Sequence, residues 1–329
     1  MSSTQPAFKV LIGHPDVPTE AIDLLRANNC EIVQILSEPP QNRIELLEKI
    51  KGVDAALWNS RETLNAQVLI AAGPQFRVVS TMSSGINFIH LDELKKRNIP
   101  LGSTPKMLSI AVADLAVGLL IAAARRFEEA RRKIDSDQWE NFRLNWLVGQ
   151  DIQGSTVGLF GFGAIGQAIA QRLAGFEIER VLYTTRSRVD AKIEEKLNAT
   201  KVDFDVLLAE SDFIVIAAPL TPETQGIFNA KAFNKMKKNS VLVNIARGKL
   251  VNQDDLYEAL KSNRIFAAGL DVTDPEPLPP SNKLLTLDNA VVLPHIGYAT
   301  ERSRLEAAIL AAQNILCGLH GKPMPSPAY

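Results

Sequence analysis

The amino-acid sequence predicts an α/β protein built on two doubly wound parallel sheets. Three observations carry this. Apolar strand-like runs alternate with helical patterns along the whole chain, which is the mark of βαβ units. Most of these runs are apolar on both faces, as strands are when helices cover both sides of a parallel sheet. The chain has 329 residues, more than the roughly 250–300 at which a single core stops growing, so two domains are expected.

Taken in order, KVLIG, EIVQIL, DAALWN, FRVVST and IPLG read as the strands of a first series, with TEAIDLLRANN and NAQVLIAAG among the helical segments between them. Leu108 to Ala124 is nearly all apolar. It is shorter than the about 20 residues a membrane span needs, and Asp114 interrupts it. It therefore reads as a buried helix that starts near Pro105 and leaves the core at Arg125 and Arg126. The alternation then restarts with STVGLFG, RVLYTTR, DFIVIAA, SVLVNI, FAAGLDV and AVVLPH. A final helix, from about Thr300 to Leu319, follows a completed second sheet. It is free to pack back on the first domain and make that domain discontinuous.

Composition narrows the function classes. The chain is 46% hydrophobic and 22% charged with a formal net charge of −1. That is ordinary globular composition without the basic footprint of a nucleic-acid binder. The opening MSSTQPAFKV lacks the charged and apolar regions of a secretory signal, and the ending SPAY is neither an anchor nor a familiar address. Cys30 and Cys317 lie at opposite ends, and His14, His90, His295 and His320 are scattered singly. No metal-ligand or CxxC spacing results, so no metal site is expected. The thiols read as small buried hydrophobes in a reducing compartment. The expected location is cytoplasmic, with no membrane and no nucleic acid among the partners.

The turn GFGAIG, Gly161 to Gly166, follows the strand STVGLF and opens the helix AIGQAIAQRLAGF. That is the context a dinucleotide fingerprint requires. Gly161 permits the tight turn, Gly163 lets backbone approach a pyrophosphate, and Gly166 brings helix and strand together. Ala164 and Ile165 supply N–H groups at the helix start, where the dipole favours an anion. Packing alone is the bland reading of these glycines. About 20 residues beyond such a turn an acidic residue normally accepts from the ribose 2′-OH. Here the strand RVLYT runs into Thr185, Arg186, Ser187 and Arg188. An acid would repel a 2′-phosphate; arginines would pair with it, aided by Thr185 and Ser187. NADP(H) is therefore expected over NAD(H), with NADH the weaker cofactor. The bland alternative is that both arginines are solvated loop charges.

Three later strand ends carry polar residues. VLVNIARG leads to Arg247, FAAGLDVTDPEP to Asp271 and Glu276, and AVVLPHIG to His295. Ligands of open parallel sheets bind outside the carboxyl ends of the strands. Reducing a 2-keto acid needs a hydride at the carbonyl carbon, a proton at its oxygen and a grip on the carboxylate. Arg247 has the donor fork for the grip, His295 is of the type that delivers a proton near neutrality, and Glu276 can hold the imidazole and favour its protonated form. Singly, each also reads as a satisfied structural group.

On GFGAIG, VNIARGKLVN, AGLDVTDPEPLP and LPHIGYAT, the chain resembles the D-isomer-specific 2-hydroxyacid dehydrogenases. STMSSGINFIHLDELKKR, WENFRLNWLVG and PMPS bring it nearest the glyoxylate/hydroxypyruvate reductase branch. The resemblance implies two Rossmann-like domains with the active site in the cleft between them. Residues 1–105 with 301–329 would bind substrate and 106–300 the dinucleotide. It implies Arg247, Glu276 and His295 as catalytic residues, and Ser84 and Gly85 as the loop whose N–H groups hold the substrate carboxylate. It also implies Pro219, Ile245 and Asp271 as cofactor contacts. A homodimer is implied, with the long apolar helix and the following loop at its interface. Ser84 stands where the branch often has Val, Asn87 where Asp is common, and Phe142 where a Trp reaches the partner's substrate pocket. The expected reaction is NADPH-dependent reduction of glyoxylate to glycolate and hydroxypyruvate to D-glycerate. A dehydrogenase of larger keto acids and a dinucleotide-sensing corepressor are the alternatives.

Overall fold

The computed structural model describes residues 7–37, 43–58, 62–140 and 143–329. In chain order it contains β1 (Phe8–Ile12), α1 (Thr19–Ala27), β2 (Cys30–Gln34), α2 (Arg43–Lys49), β3 (Ala55–Trp58), α3 (Ala66–Ala72), β4 (Val78–Thr81), α4 (Leu91–Lys96), β5 (Leu101–Gly102) and α5 (Pro105–Ala124). There follow α6 (Phe127–Asp135), β6 (Thr156–Phe160), α7 (Ala164–Leu173), β7 (Arg180–Thr184), α8 (Ala191–Lys196), β8 (Ala199–Lys201), α9 (Phe204–Glu210), β9 (Phe213–Ile216), α10 (Ala230–Lys235), β10 (Val241–Asn244), α11 (Gln253–Lys261), β11 (Ala267–Leu270), β12 (Ala290–Val292) and α12 (Glu301–Leu319). The chain divides into two compact units, Met1–Leu108 with Tyr298–Tyr329, and Ser109–Gly297.

The first unit holds a parallel sheet in the order β2-β1-β3-β4-β5, the flavodoxin-like doubly wound order. Successive side chains point to opposite faces. Leu11, Ala56 and Val79 thus join one buried cluster, while Val10, Ile12, Leu57 and Val78 join another with Ala308, Ala311, Ala312 and Ile315. Those last four residues are the inner face of α12, so the final helix completes the first unit. Its approach is close: a Cβ on Gly318 would lie 2.5 Å from Cγ2 of Val78.

The second unit holds a parallel sheet in the order β12-β11-β10-β9-β6-β7-β8. β6 pairs with β7 on one side and β9 on the other, so the strand order reverses at its end. That reversal is where ligands of doubly wound sheets bind. Three-residue β8 was not among the expected strands, because ATK carries no apolar run. α5 packs on β11, where a Cβ on Gly269 would meet the Leu119 carbonyl at 3.1 Å. α5 runs from Pro105 to Ala124, the start and end expected from the sequence. Met107–Ala124 is long and apolar enough to cross a membrane by length and composition, with 56% of that window buried inside the protein. Asp114 on this helix pairs with Arg172. Cys30 is buried as expected, whereas Cys317 is only partly so.

Candidate active site

The glycine turn lies just past β6, at the reversal point. Gly161 has φ +105°, and a Cβ there would come within 2.6 Å of the backbone between Ala217 and Ala218. A Cβ on Gly166 would meet the Gly161 carbonyl oxygen at 2.3 Å. Both glycines are therefore required by packing. Gly163 differs: a Cβ there would have no neighbour within 4 Å. It is exposed and caps the N-terminus of α7 without a side-chain hydrogen bond. Open space beside an uncapped helix N-terminus, with Ala164 and Ile165 opening the helix, fits the pyrophosphate of a dinucleotide.

Beside it, the end of β7 carries the basic loop. Thr185 Oγ1 donates to the Ser187 carbonyl at 2.7 Å, so its hydroxyl shapes the loop. Arg186 is exposed, and its charge helps hold the Glu223 carboxyl below the ordinary range, after the hydrogen bonds from Thr221 and the backbone of Glu223 itself. Arg188 is mostly solvent-facing yet grips Glu194, with Nε 3.0 Å from both carboxylate oxygens. Pro219 is exposed after β9, and its carbonyl accepts from Thr224 Oγ1 at 2.9 Å.

The strands β10 and β11 and the stretch after β12 bring the three expected catalytic side chains to one end of the second sheet. After β10, the buried Asn244 folds the turn: its Nδ2 donates to the Arg247 carbonyl at 2.9 Å and its Oδ1 accepts from Ala246 N–H at 3.0 Å. Ile245 is 7% exposed within this turn. Gly248 abuts the stretch after β11 so tightly that a Cβ would sit 2.0 Å from the Thr273 carbonyl oxygen. Arg247 is thereby set next to the Thr273–Glu276 loop. Thr273 N–H donates to Glu276 Oε1 at 3.0 Å, and Glu276 Oε2 lies 2.8 Å from Nδ1 of His295. Burial raises the Glu276 pKa, but the hydrogen bond and charge of His295, the Thr273 N–H and the charge of Arg247 together hold it below the ordinary value. With Nδ1–H directed at the carboxylate, Nε2 is the ring nitrogen that can pass a proton.

His295 has φ +57°, a left-handed conformation that is uncommon outside glycine and clusters at functional sites. Asp271 holds it there. Its carboxylate, 2% exposed, accepts from the next two backbone N–H groups, Ile296 and Gly297, at 2.8 Å each. Burial pushes the Asp271 pKa up, against the opposing pull of those bonds and of His295. The residue expected beside the nicotinamide thus has both oxygens engaged in shaping the His295 backbone. Asn244 and this use of Asp271 escaped the sequence reading, since neither a β-strand asparagine nor a strand-end aspartate announces a backbone clamp.

In the first unit, Ser84 is exposed and Gly85 half-buried in the loop after β4. Buried hydroxyls hold that loop. Ser83 Oγ donates to the Gly85 carbonyl at 2.8 Å and lies 2.8 Å from Thr81 Oγ1, while Thr104 N–H donates to the Ser83 carbonyl at 3.1 Å. His14 Nδ1 accepts from Asp16 N–H, and His320 packs edge-on against Phe8. Trp58 is buried with its Nε1 donating to the Glu62 carbonyl, whereas Trp139 is exposed. Phe142 lies outside the described residues. Among the described residues, no group of three or more His, Cys, Asp or Glu could hold a metal ion.

Comparison with known proteins accords with this arrangement. Residues 117–297 match the D-isomer specific 2-hydroxyacid dehydrogenase, NAD binding domain. Human glyoxylate reductase/hydroxypyruvate reductase is 47% identical over 94% of this chain and 94% of its own. The glyoxylate reductase of Thermococcus onnurineus is 39% identical over 97% of this chain and 95% of its own. Among solved structures, the TT0316 protein of Thermus thermophilus superposes with a TM-score of 0.88 at 36% identity, covering 98% of this chain and 100% of its own. A glyoxylate reductase from Paecilomyes thermophila does so with a TM-score of 0.87 at 26% identity, covering 98% of each chain. In sequence as in fold, the chain belongs to the D-isomer-specific 2-hydroxyacid dehydrogenases, oxidoreductases that act on a CH–OH group with a nicotinamide dinucleotide.

Proposed function

We propose that this enzyme uses NADPH to reduce glyoxylate to glycolate and hydroxypyruvate to D-glycerate, with His295 as proton donor. The supporting observation is the linked set at the carboxyl ends of the second sheet: Glu276 bonded to His295 at 2.8 Å, with the charge of Arg247 acting on the same carboxylate. When bound, the nicotinamide supplies the hydride. Arg247 grips the carboxylate or carbonyl oxygen of the keto acid. His295 gives the proton to the nascent alkoxide, and Glu276 orients the imidazole through Nδ1. Ser84 and Gly85 receive the substrate carboxylate through backbone N–H groups, a role that rests on the family resemblance.

The glycine turn and the start of α7 take the pyrophosphate, with Pro219 and Ile245 as further cofactor contacts. Thr185, Arg186, Ser187 and Arg188 take the 2′-phosphate, and NADPH is favoured because no acid stands on this loop to repel it. The substrate assignment is supported by the names and full-length similarity of the human and archaeal relatives. A cytoplasmic homodimer, without membrane or nucleic-acid partners, completes the reading. Steady-state assays with glyoxylate, hydroxypyruvate and phenylpyruvate, each with NADPH and NADH, test it. The expected pattern is highest kcat/KM for the two small acids with NADPH. Equal or better use of phenylpyruvate would overturn the substrate, and equal use of NADH would overturn the cofactor preference.

A further inference from the structure

The basic loop after β7 rests on a buried acid. Glu194, on α8, is 7% exposed. Tyr183, fully buried in β7, donates its hydroxyl to Glu194 Oε1, and that hydroxyl also accepts from Val189 N–H at 3.2 Å. The Tyr183 ring stacks on Phe162 of the glycine turn at 4.4 Å between centroids. From the solvent side Arg188 closes on the same carboxylate, with Nε 3.0 Å from both oxygens and one terminal nitrogen 2.8 Å from Oε2. An unbroken series of contacts thus runs from the pyrophosphate turn through Tyr183 and Glu194 to Arg188.

A carboxylate this buried is tolerated only when paired and hydrogen-bonded, and here both conditions are met. Its effect falls on the arginine. A long exposed side chain loses rotamer freedom when it binds a ligand; Glu194 removes that freedom in advance. Nε and one terminal nitrogen, one edge of the guanidinium, are engaged, while the fork carries further N–H donors along its other edges. The pair is close to neutral as a whole, so Arg186 supplies the net positive charge on this loop and Arg188 supplies oriented donors.

We infer that Glu194, with Tyr183, is a positioning residue for recognition of the cofactor 2′-phosphate, acting by holding Arg188 and the loop from Thr184 to Val189 in a receptive geometry. This inference rests on the NADPH reading above and adds the residues that set its selectivity. Lysine at position 188 would not substitute, because an ammonium lacks the fork that bonds both oxygens of Glu194 while still facing outward.

The test is titration calorimetry of the whole enzyme with adenosine 2′,5′-bisphosphate and, separately, with 5′-AMP, which lacks the 2′-phosphate. Glu194→Gln removes the charge, and Tyr183→Phe removes a single hydroxyl if the first variant folds poorly. Both should weaken the bisphosphate about tenfold, the scale of one charge-assisted hydrogen bond, and leave 5′-AMP within about twofold. In kinetics the KM for NADPH should rise while kcat and the KM for NADH hold. Unchanged or tighter bisphosphate binding would overturn the inference, showing that Glu194 is idle or draws Arg188 away from the phosphate. Equal loss for both nucleotides would overturn it too, by reducing Glu194 to a general support of the fold. A wild-type enzyme that binds the two nucleotides equally would instead overturn the NADPH reading, and this inference with it.

Discussion

Replacing Asp271 with Asn isolates the clamp on His295. The side chain keeps its size but exchanges one acceptor oxygen for a donor amide. Of the two bonds from Ile296 and Gly297 N–H, each 2.8 Å, one can persist and the other N–H then faces an NH₂ group. A buried donor left without an acceptor costs about 1–3 kcal/mol. Part of this is offset, because the substitution also removes a carboxylate whose burial raises its pKa. A net change of about 1–2 kcal/mol corresponds to roughly 5–30-fold in the opening equilibrium of the loop. Hydrogen exchange of the peptide spanning Leu293 to Ala299 should accelerate by about that factor. The turnover of keto acid should fall further, because His295 holds φ +57° only while its surroundings enforce it. A displacement of about 1 Å at a reacting group can cost about 10²-fold. Cofactor affinity should change little. If exchange stays at the wild-type rate while kcat drops, Asp271 acts on the bound molecules directly and the clamp argument is wrong. If both stay unchanged, it has no role at this site.

Three further outcomes are expected. His295→Ala should lower kcat for keto-acid reduction by about 10²–10⁴ with NADPH affinity largely kept; unaltered turnover would remove His295 from the chemistry. Arg186→Asp should raise the KM for NADPH and spare NADH, and a parallel rise for both would break the link between this loop and the 2′-phosphate. The folded-state pKa of Glu276 is lowered relative to 4.5, so its contribution to stability is present above that value and lost as pH falls through the lowered one. Glu276→Gln should therefore flatten the acid limb of Tm against pH below about 4.5, and an identical acid limb in the variant would show that Glu276 contributes no stability through its ionised form.

The legible parts of this protein share one property: each is carried by residues whose type alone is uncommon at its place. Runs such as DFIVIAA and SVLVNI are apolar on both faces, and β9 and β10 are buried throughout. The glycine turn could be assigned residue by residue, since a Cβ is barred at Gly161 and Gly166 and has open space at Gly163. Arg247, Glu276 and His295 drew notice as polar residues at the ends of apolar strands, and the fold gathers them. β8 was missed for the converse reason: three residues with one small apolar member leave no periodicity to read.

What stayed illegible is the layer of residues that act on backbone. Asn244, Asp271 and Ser83 are ordinary residue types in ordinary numbers, and each works by meeting an N–H or carbonyl two to twenty-six positions away. Sequence periodicity reports which face a side chain takes, not which peptide group it will meet, because that depends on how three separate strand ends are brought into register. The register itself comes from parallel pairing of β10 with β11 and β11 with β12, which places the Thr273 loop against Gly248 and the His295 turn over Asp271. These contacts explain how the site holds a histidine in a left-handed backbone with a half-exposed glutamate at hydrogen-bond distance. The same reasoning separates the two arginines of the β7 loop. In sequence Arg186 and Arg188 look equivalent, but only Arg188 has a buried acid beneath it, so substitutions at the two positions should differ in kind: loss of net charge at Arg186, loss of orientation at Arg188.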